Sequence, residues 1–75
     1  MSMVLAFRER LQTAVDRDPR SRAAIARRAG YGQSHLRRLM TGERYSPTVG
    51  LVDNLAAALE VSPAWLLGLS EEIKP

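Results

Sequence analysis

The 75-residue sequence has no cysteine, so disulfide bonds and thiolate metal sites are excluded. It has a single histidine and a single lysine, and no apolar run approaches the roughly 20 residues of a membrane-spanning helix. The N-terminal segment MSMVLAFRER has no basic stretch before its apolar residues, unlike a signal peptide. These absences favour a cytoplasmic protein that binds neither a membrane nor a metal.

Catalytic patterns are missing as well. The sequence shows no serine–histidine–aspartate set, no glycine-rich phosphate loop and no paired carboxylates, and its acidic residues are scattered. We therefore expect no enzyme activity, no cofactor and no small-molecule ligand. A chain of this length forms one domain with a thin core. We expect that domain to span residues 1–75, with residues 70–75 as a flexible tail.

Charge is unevenly distributed along the chain. Residues 17–44 carry eight arginines and only two acidic residues, whereas residues 45–75 carry four acidic residues and one lysine. A basic middle segment favours a polyanionic partner, although a solvated surface would give the same pattern.

Apolar residues recur at helical spacing, and no segment alternates between apolar and polar residues as a strand would. The sequence therefore predicts an all-α fold of about five helices. The first helix covers residues 3–16 and buries Val4, Phe7, Leu11, Ala14 and Val15. The fourth helix buries Val49, Val52, Leu55, Ala56 and Leu59.

Capping residues predict the other boundaries. Ser21 begins the second helix as a side-chain cap, and Gly30 ends it because glycine tolerates a positive φ. The dipeptides Ser46-Pro47 and Ser62-Pro63 predict the starts of the fourth and fifth helices, and Gly68 ends the fifth. The inner face of the second helix is predicted to contain Ile25, Ala26 and Ala29.

Residues 21–42, SRAAIARRAGYGQSHLRRLMTG, are the most informative stretch. They predict two short helices joined by a tight turn, the second helix covering residues 33–40. At about 100° per residue, that helix has an apolar side formed by Leu36, Leu39 and Met40. Its opposite side is polar and carries Gln33, Ser34, Arg37 and Arg38. A small basic helix with an apolar back fits the major groove of DNA.

The order of these features resembles the helix-turn-helix domain of phage repressors and Cro proteins, the lambda repressor-like fold. The resemblance covers residues 21–68, about two thirds of the chain. The residues that carry it are Ile25, Ala26, Gly30, Gly32, Gln33, Ser34, Leu36, Leu39, Gly42, Pro47, Leu51, Leu55, Ala56, Leu59, Val61 and Ser62. Two positions depart from the family pattern, because Arg22 replaces a frequent glutamine and Gly32 replaces a frequent serine or threonine.

The resemblance and the helical wheel together imply base contacts from Gln33, Ser34, Arg37 and Arg38, since glutamine, serine and arginine all pair with base edges. Phosphate contact remains an alternative for Gln33, and phosphate contact or solvation for the two arginines. The residues expected to contact phosphates are Arg22, Arg44, Tyr45, Ser46 and Thr48. We expect His35 to face DNA backbone or solvent, and Arg27 and Arg28 to be solvated.

The family often dimerises through a short apolar C-terminal helix, so the resemblance makes Trp65, Leu66 and Leu69 candidates for a dimer surface or for the core. The sequence as a whole predicts a transcriptional regulator, most simply a repressor, that binds double-stranded DNA as a homodimer on a pseudo-palindromic operator. The ten-to-one excess of arginine over lysine favours a prokaryotic or phage source. The alternative is an antitoxin, or another protein-interaction module, that neutralises a partner through its acidic C-terminal third and binds DNA secondarily.

Overall fold

Five helices make up the described part of the chain. The structure is a computed structural model and describes residues 3–41 and 48–75. The helices are α1 (Met3–Arg17), α2 (Arg22–Ala29), α3 (Gln33–Thr41), α4 (Val49–Leu59) and α5 (Pro63–Leu66). These residues contain no strand, which confirms the prediction of an all-α fold. None of the helices among them has the length and apolar character to cross a membrane.

All five helices contribute fully buried side chains to one core. Helix α2 packs against α3 and α4, while α1 packs against α3 and α5, and α4 also contacts α5. Burying one leucine or phenylalanine side chain contributes about 1.5–3 kcal/mol, so this shared core holds α2 and α3 in a set arrangement. The largest fully buried side chains are Phe7, Leu11, Ile25, Leu36, Leu55 and Leu66. The side chain of Val4 lies outside the described residues.

Both predicted ends of α2 are confirmed. The Ser21 hydroxyl accepts a hydrogen bond from the amide of Ala24 at 3.2 Å. At the other end Gly30 has a φ of 85°, and the amide of Tyr31 donates to the carbonyl of Ala26 at 2.9 Å. This is the Schellman turn, in which the residue after the helix is left-handed. A Cβ at Gly30 would meet no atom within 4 Å, so glycine is required there by backbone conformation rather than by space.

The start of α4 corrects the prediction. Thr48 has extended dihedral angles, and its hydroxyl accepts a hydrogen bond from the amide of Leu51 at 3.1 Å. Thr48 therefore caps the helix, which begins at Val49. Val49 is 85% exposed because it precedes the first buried turn, so its predicted burial was wrong. The expected cap at Ser46-Pro47 lies outside the described residues.

The start of α5 is as predicted. The Ser62 hydroxyl accepts a hydrogen bond from the amide of Trp65 at 3.3 Å, and Pro63 is the first helical residue. Gly68 follows the helix with a φ of 78°. A Cβ at Gly68 would lie 2.7 Å from the Cβ of Ala6, so this glycine also allows α1 to approach closely.

Residues 70–75, expected to form a flexible tail, contact the body of the domain at Ser70, Glu71 and Ile73. The carbonyl of Ile73 accepts a hydrogen bond from the amide of Ser62 at 2.8 Å, and its side chain packs against the core. The Arg10 guanidinium lies 3.3 Å from a carboxylate oxygen of Glu71 and donates to the carbonyl of Ser70 at 3.4 Å. Ile73 thus holds the C-terminal segment against the start of α5 and the core.

Candidate nucleic-acid interface

Helix α3 has one buried side and one exposed side. Leu36, Leu39 and Met40 are buried against the other helices. The four side chains for which base contacts were predicted, Gln33, Ser34, Arg37 and Arg38, are all exposed. At about 100° per residue they occupy an arc of roughly 140° on the outward side. The buried side thus anchors the helix, and the outward side presents amide, hydroxyl and guanidinium groups together.

The two arginines of this outward side are not used for internal ion pairs in the described part of the chain. The three ion pairs found in residues 5–41 and 48–75 involve Arg10 and Arg20 instead. Arg37 and Arg38 therefore present their guanidinium groups to solvent. A guanidinium offers several donors in a planar fork, which matches the two acceptors of guanine or the oxygens of a phosphate.

The turn between α2 and α3 contains a residue whose role sequence reasoning missed. Tyr31 is half-buried, and its ring packs edge-to-face against the ring of His35, with 4.9 Å between centroids and an interplanar angle of 71°. Its hydroxyl accepts a hydrogen bond from Nδ2 of Asn54 at 3.2 Å. His35, expected to face DNA backbone or solvent, is thus half-buried beside Tyr31. The signal available in the sequence was an aromatic residue between two turn glycines.

The residues expected to contact phosphates are only partly described. Arg22 is exposed and is the first residue of α2, where the positive end of the helix dipole favours an anion. Thr48 is exposed at the start of α4, where its oxygen accepts the capping bond and its O–H remains a donor. Arg44, Tyr45 and Ser46 lie outside the described residues. Arg27 and Arg28 are exposed on α2, as expected for solvated residues.

Arg20 stabilises the fold through contacts within the chain and adds no free charge to the basic surface. Its guanidinium binds Asp18 through two contacts, Nη2 to Oδ2 at 2.7 Å and Nε to Oδ1 at 2.9 Å. Nη2 also donates to the carbonyl of Ala58 at 2.8 Å, near the C-terminal end of α4, and lies 3.6 Å from Glu60. The hydrogen bonds from Arg20 hold the pKa of the Asp18 carboxyl below its ordinary value. Arg20 therefore ties the α1–α2 loop to α4.

The three candidates for a dimer surface have different positions. Trp65 and Leu66 are buried within the domain, at 6% and 0% exposure, and Arg10 stacks over the Trp65 ring at 4.8 Å from its centroid. They belong to the core and offer little surface to a second copy. Leu69 is 66% exposed and remains available.

The geometry described above is that of two helices around a tight turn, with the second helix exposing a polar and basic side. A family model described as a helix-turn-helix domain matches residues 6–67, which is most of the chain. The chain therefore belongs to this helix-turn-helix domain family, a DNA-binding family of the Cro and lambda repressor type. Neither a curated protein nor a solved structure gives a significant match.

Proposed function

We propose that this domain is a sequence-specific regulator of transcription, acting as a repressor, that places α3 in the major groove of double-stranded DNA. The observation that carries the proposal is the division of α3 into a buried apolar side and an exposed side with Gln33, Ser34, Arg37 and Arg38. These side chains match the donors and acceptors that distinguish base pairs in the major groove. Occupancy of an operator would then block the access of RNA polymerase.

Phosphate contacts support the same placement of the domain on DNA. Arg22 and Thr48 are exposed residues at the N-terminal ends of α2 and α4, where main-chain amides and the helix dipole attract anions. We assign them to phosphates of the backbone, together with Arg44, Tyr45 and Ser46. Contacts of this kind position the protein on the duplex, while α3 supplies the sequence preference.

We further propose that two copies bind together on a pseudo-palindromic operator. Leu69 supports this, because it is a large apolar side chain that is mostly exposed in the single chain. A two-fold dimer would place its half-sites about 34–36 Å apart, one turn of DNA. The expected result of Leu69→Ser is a weaker dimer in sedimentation, whereas Val49→Ser, which removes another exposed apolar side chain, leaves the dimer intact.

The alternative of an antitoxin relies on a free acidic surface in the C-terminal third. Two of its four acidic residues, Glu60 and Glu71, lie near arginines of this chain, which reduces the net negative charge of that surface. The exposed basic side of α3 favours DNA as the principal partner.

Selection of bound duplexes from a random pool tests the proposal. The wild-type protein is expected to enrich one two-fold symmetric motif. The chain offers a matched pair of variants, because two adjacent exposed arginine pairs occur on α2 and α3. The double variant R37A/R38A is expected to lose the motif, and R27A/R28A, with the same change in charge, is expected to keep it.

Three results would count against the proposal in separate ways. A pool without enrichment would refute sequence-specific binding. An enriched motif without two-fold symmetry would refute only the dimer. Affinity that stays constant between 50 and 200 mM salt would refute the phosphate contacts, because each phosphate neutralised by an arginine contributes about 0.9 to the slope of log affinity against log salt.

A further inference from the structure

Tyr31 is held firmly in the turn that leads into α3. Its amide donates to the carbonyl of Ala26 in the Schellman turn, directly after the left-handed Gly30. Its side chain is half-buried and packs against the core. The main chain at Tyr31 is therefore fixed by the end of α2, and the ring is held by its packing against the core.

The ring of Tyr31 connects two helices. On one side it contacts His35, which lies in α3 between the outward-facing Ser34 and the buried Leu36. On the other side its hydroxyl accepts the hydrogen bond from Asn54 of α4. The packing partners of α3 include α1 and α2, and the Asn54–Tyr31–His35 chain adds a lateral support from α4.

We propose that Tyr31 is a positioning residue that sets the orientation of α3, and through it the preference of the protein among DNA sequences. This inference depends on the proposed function. Paired hydrogen bonds to a base edge are sensitive to distance and angle, so a small rotation of α3 weakens the contacts of Gln33 and Arg38. Long side chains can adjust to the same rotation and keep their contacts with phosphates, and these contacts carry little sequence information.

The measured quantity is the ratio of affinities for the selected duplex and a scrambled duplex at one salt concentration. Tyr31→Phe keeps the ring and removes the hydroxyl, and Asn54→Ala removes the donor on the other side. Each is expected to lower the ratio about two- to fivefold without changing the salt dependence. The unfolding midpoint is expected to fall by a few degrees, the effect of losing one exposed hydrogen bond. The double variant is expected to lose no more than either single one, because both remove the same bond.

Two further variants sharpen the test. Tyr31→Leu keeps an apolar side chain and removes the ring contact with His35 as well, so the ratio is expected to fall about tenfold. Gln12→Ala is the matched control for Asn54→Ala, since it removes a neutral amide on α1 that is bonded to Asp16. It is expected to leave the ratio unchanged.

Direct contact between Tyr31 and a phosphate would give a different result. Tyr31→Phe would then weaken all duplexes equally while Asn54→Ala had no effect, and the positioning role would be refuted. An unchanged ratio in all the Tyr31 and Asn54 variants would also refute it. A wild-type protein without any sequence preference would instead refute the proposed function, and the positioning role with it. That failure is visible in the wild-type measurement alone.

Discussion

Two groups of arginines in this domain have opposite surroundings. Arg10 and Arg20 each contact several groups of their own chain, including a carboxylate and a main-chain carbonyl. Arg37 and Arg38 extend from α3 into solvent, and Arg22 does the same at the start of α2. The first group joins distant segments of the fold, and the second group is available to a partner.

This difference shows that the number of basic residues overstates the charge available to DNA. Arg20 contributes to the positive sum of residues 17–44, yet its charge is balanced by Asp18 and Glu60. A guanidinium that holds two or three oxygens in a fixed geometry serves as a structural connector. The comparison therefore predicts that variants of the first group change stability and variants of the second group change DNA binding.

The largest effect is expected from Arg38→Ala. Loss of a bidentate contact with a base costs about 1–3 kcal/mol of discrimination, which is roughly 5- to 150-fold in affinity for the correct sequence. Binding to scrambled DNA and the unfolding midpoint are expected to change little. Competition binding with the selected duplex and its single-base variants measures the effect, and equal loss for all duplexes would assign Arg38 to phosphate.

Arg20→Met is expected to lower stability and to leave the sequence preference unchanged, the opposite of Arg38→Ala. The variant keeps the length of the side chain but leaves the Asp18 carboxylate, which is 6% exposed, without its main partner. We expect the unfolding midpoint to fall by a few degrees, as for other small domains that lose a partly buried contact. The ratio of specific to nonspecific binding is expected to stay constant. Arg17→Met, at an exposed position nearby, serves as the control in the same melting experiment.

A smaller and more uniform effect is expected from Arg22→Ala. If Arg22 neutralises one phosphate, the variant binds every duplex more weakly and its dependence on log salt decreases by about 0.9. A titration at several salt concentrations, with Arg27→Ala as the control of equal charge, gives the slope. A base-dependent loss would place Arg22 at a base edge instead.

The smallest effect is expected from the titration of Asp18. Because its pKa is lowered in the folded protein, its contribution to stability is complete above the ordinary value of 3.8 and is lost as the pH falls through the lower folded value. Urea unfolding of the wild type and Asp18→Asn is therefore expected to differ most at about pH 6, and the difference is expected to shrink as the pH falls below 3.8. A constant difference over this pH range would contradict the assignment of the lowered pKa.

The sequence predicted the features that depend on neighbouring residues. Ser21, Gly30 and the Ser62-Pro63 pair act within one helical turn, and all have the predicted role. The predicted start of α4 was wrong because two residues able to cap a helix, Ser46 and Thr48, stand two positions apart, and the local pattern does not distinguish them. The contacts of Arg20 with Ala58 and of Tyr31 with Asn54 join residues 38 and 23 positions apart, which no local pattern reveals.

The two-sided construction of α3 also bears on how such a domain can change over time. Replacements at positions 33, 34, 37 and 38 alter solvent-facing groups and leave the volume of the interior unchanged, and such replacements shift folding free energy by only about 0.5 kcal/mol. Under the proposed function, the same scaffold would therefore acquire a new target by a few substitutions without first being restabilised.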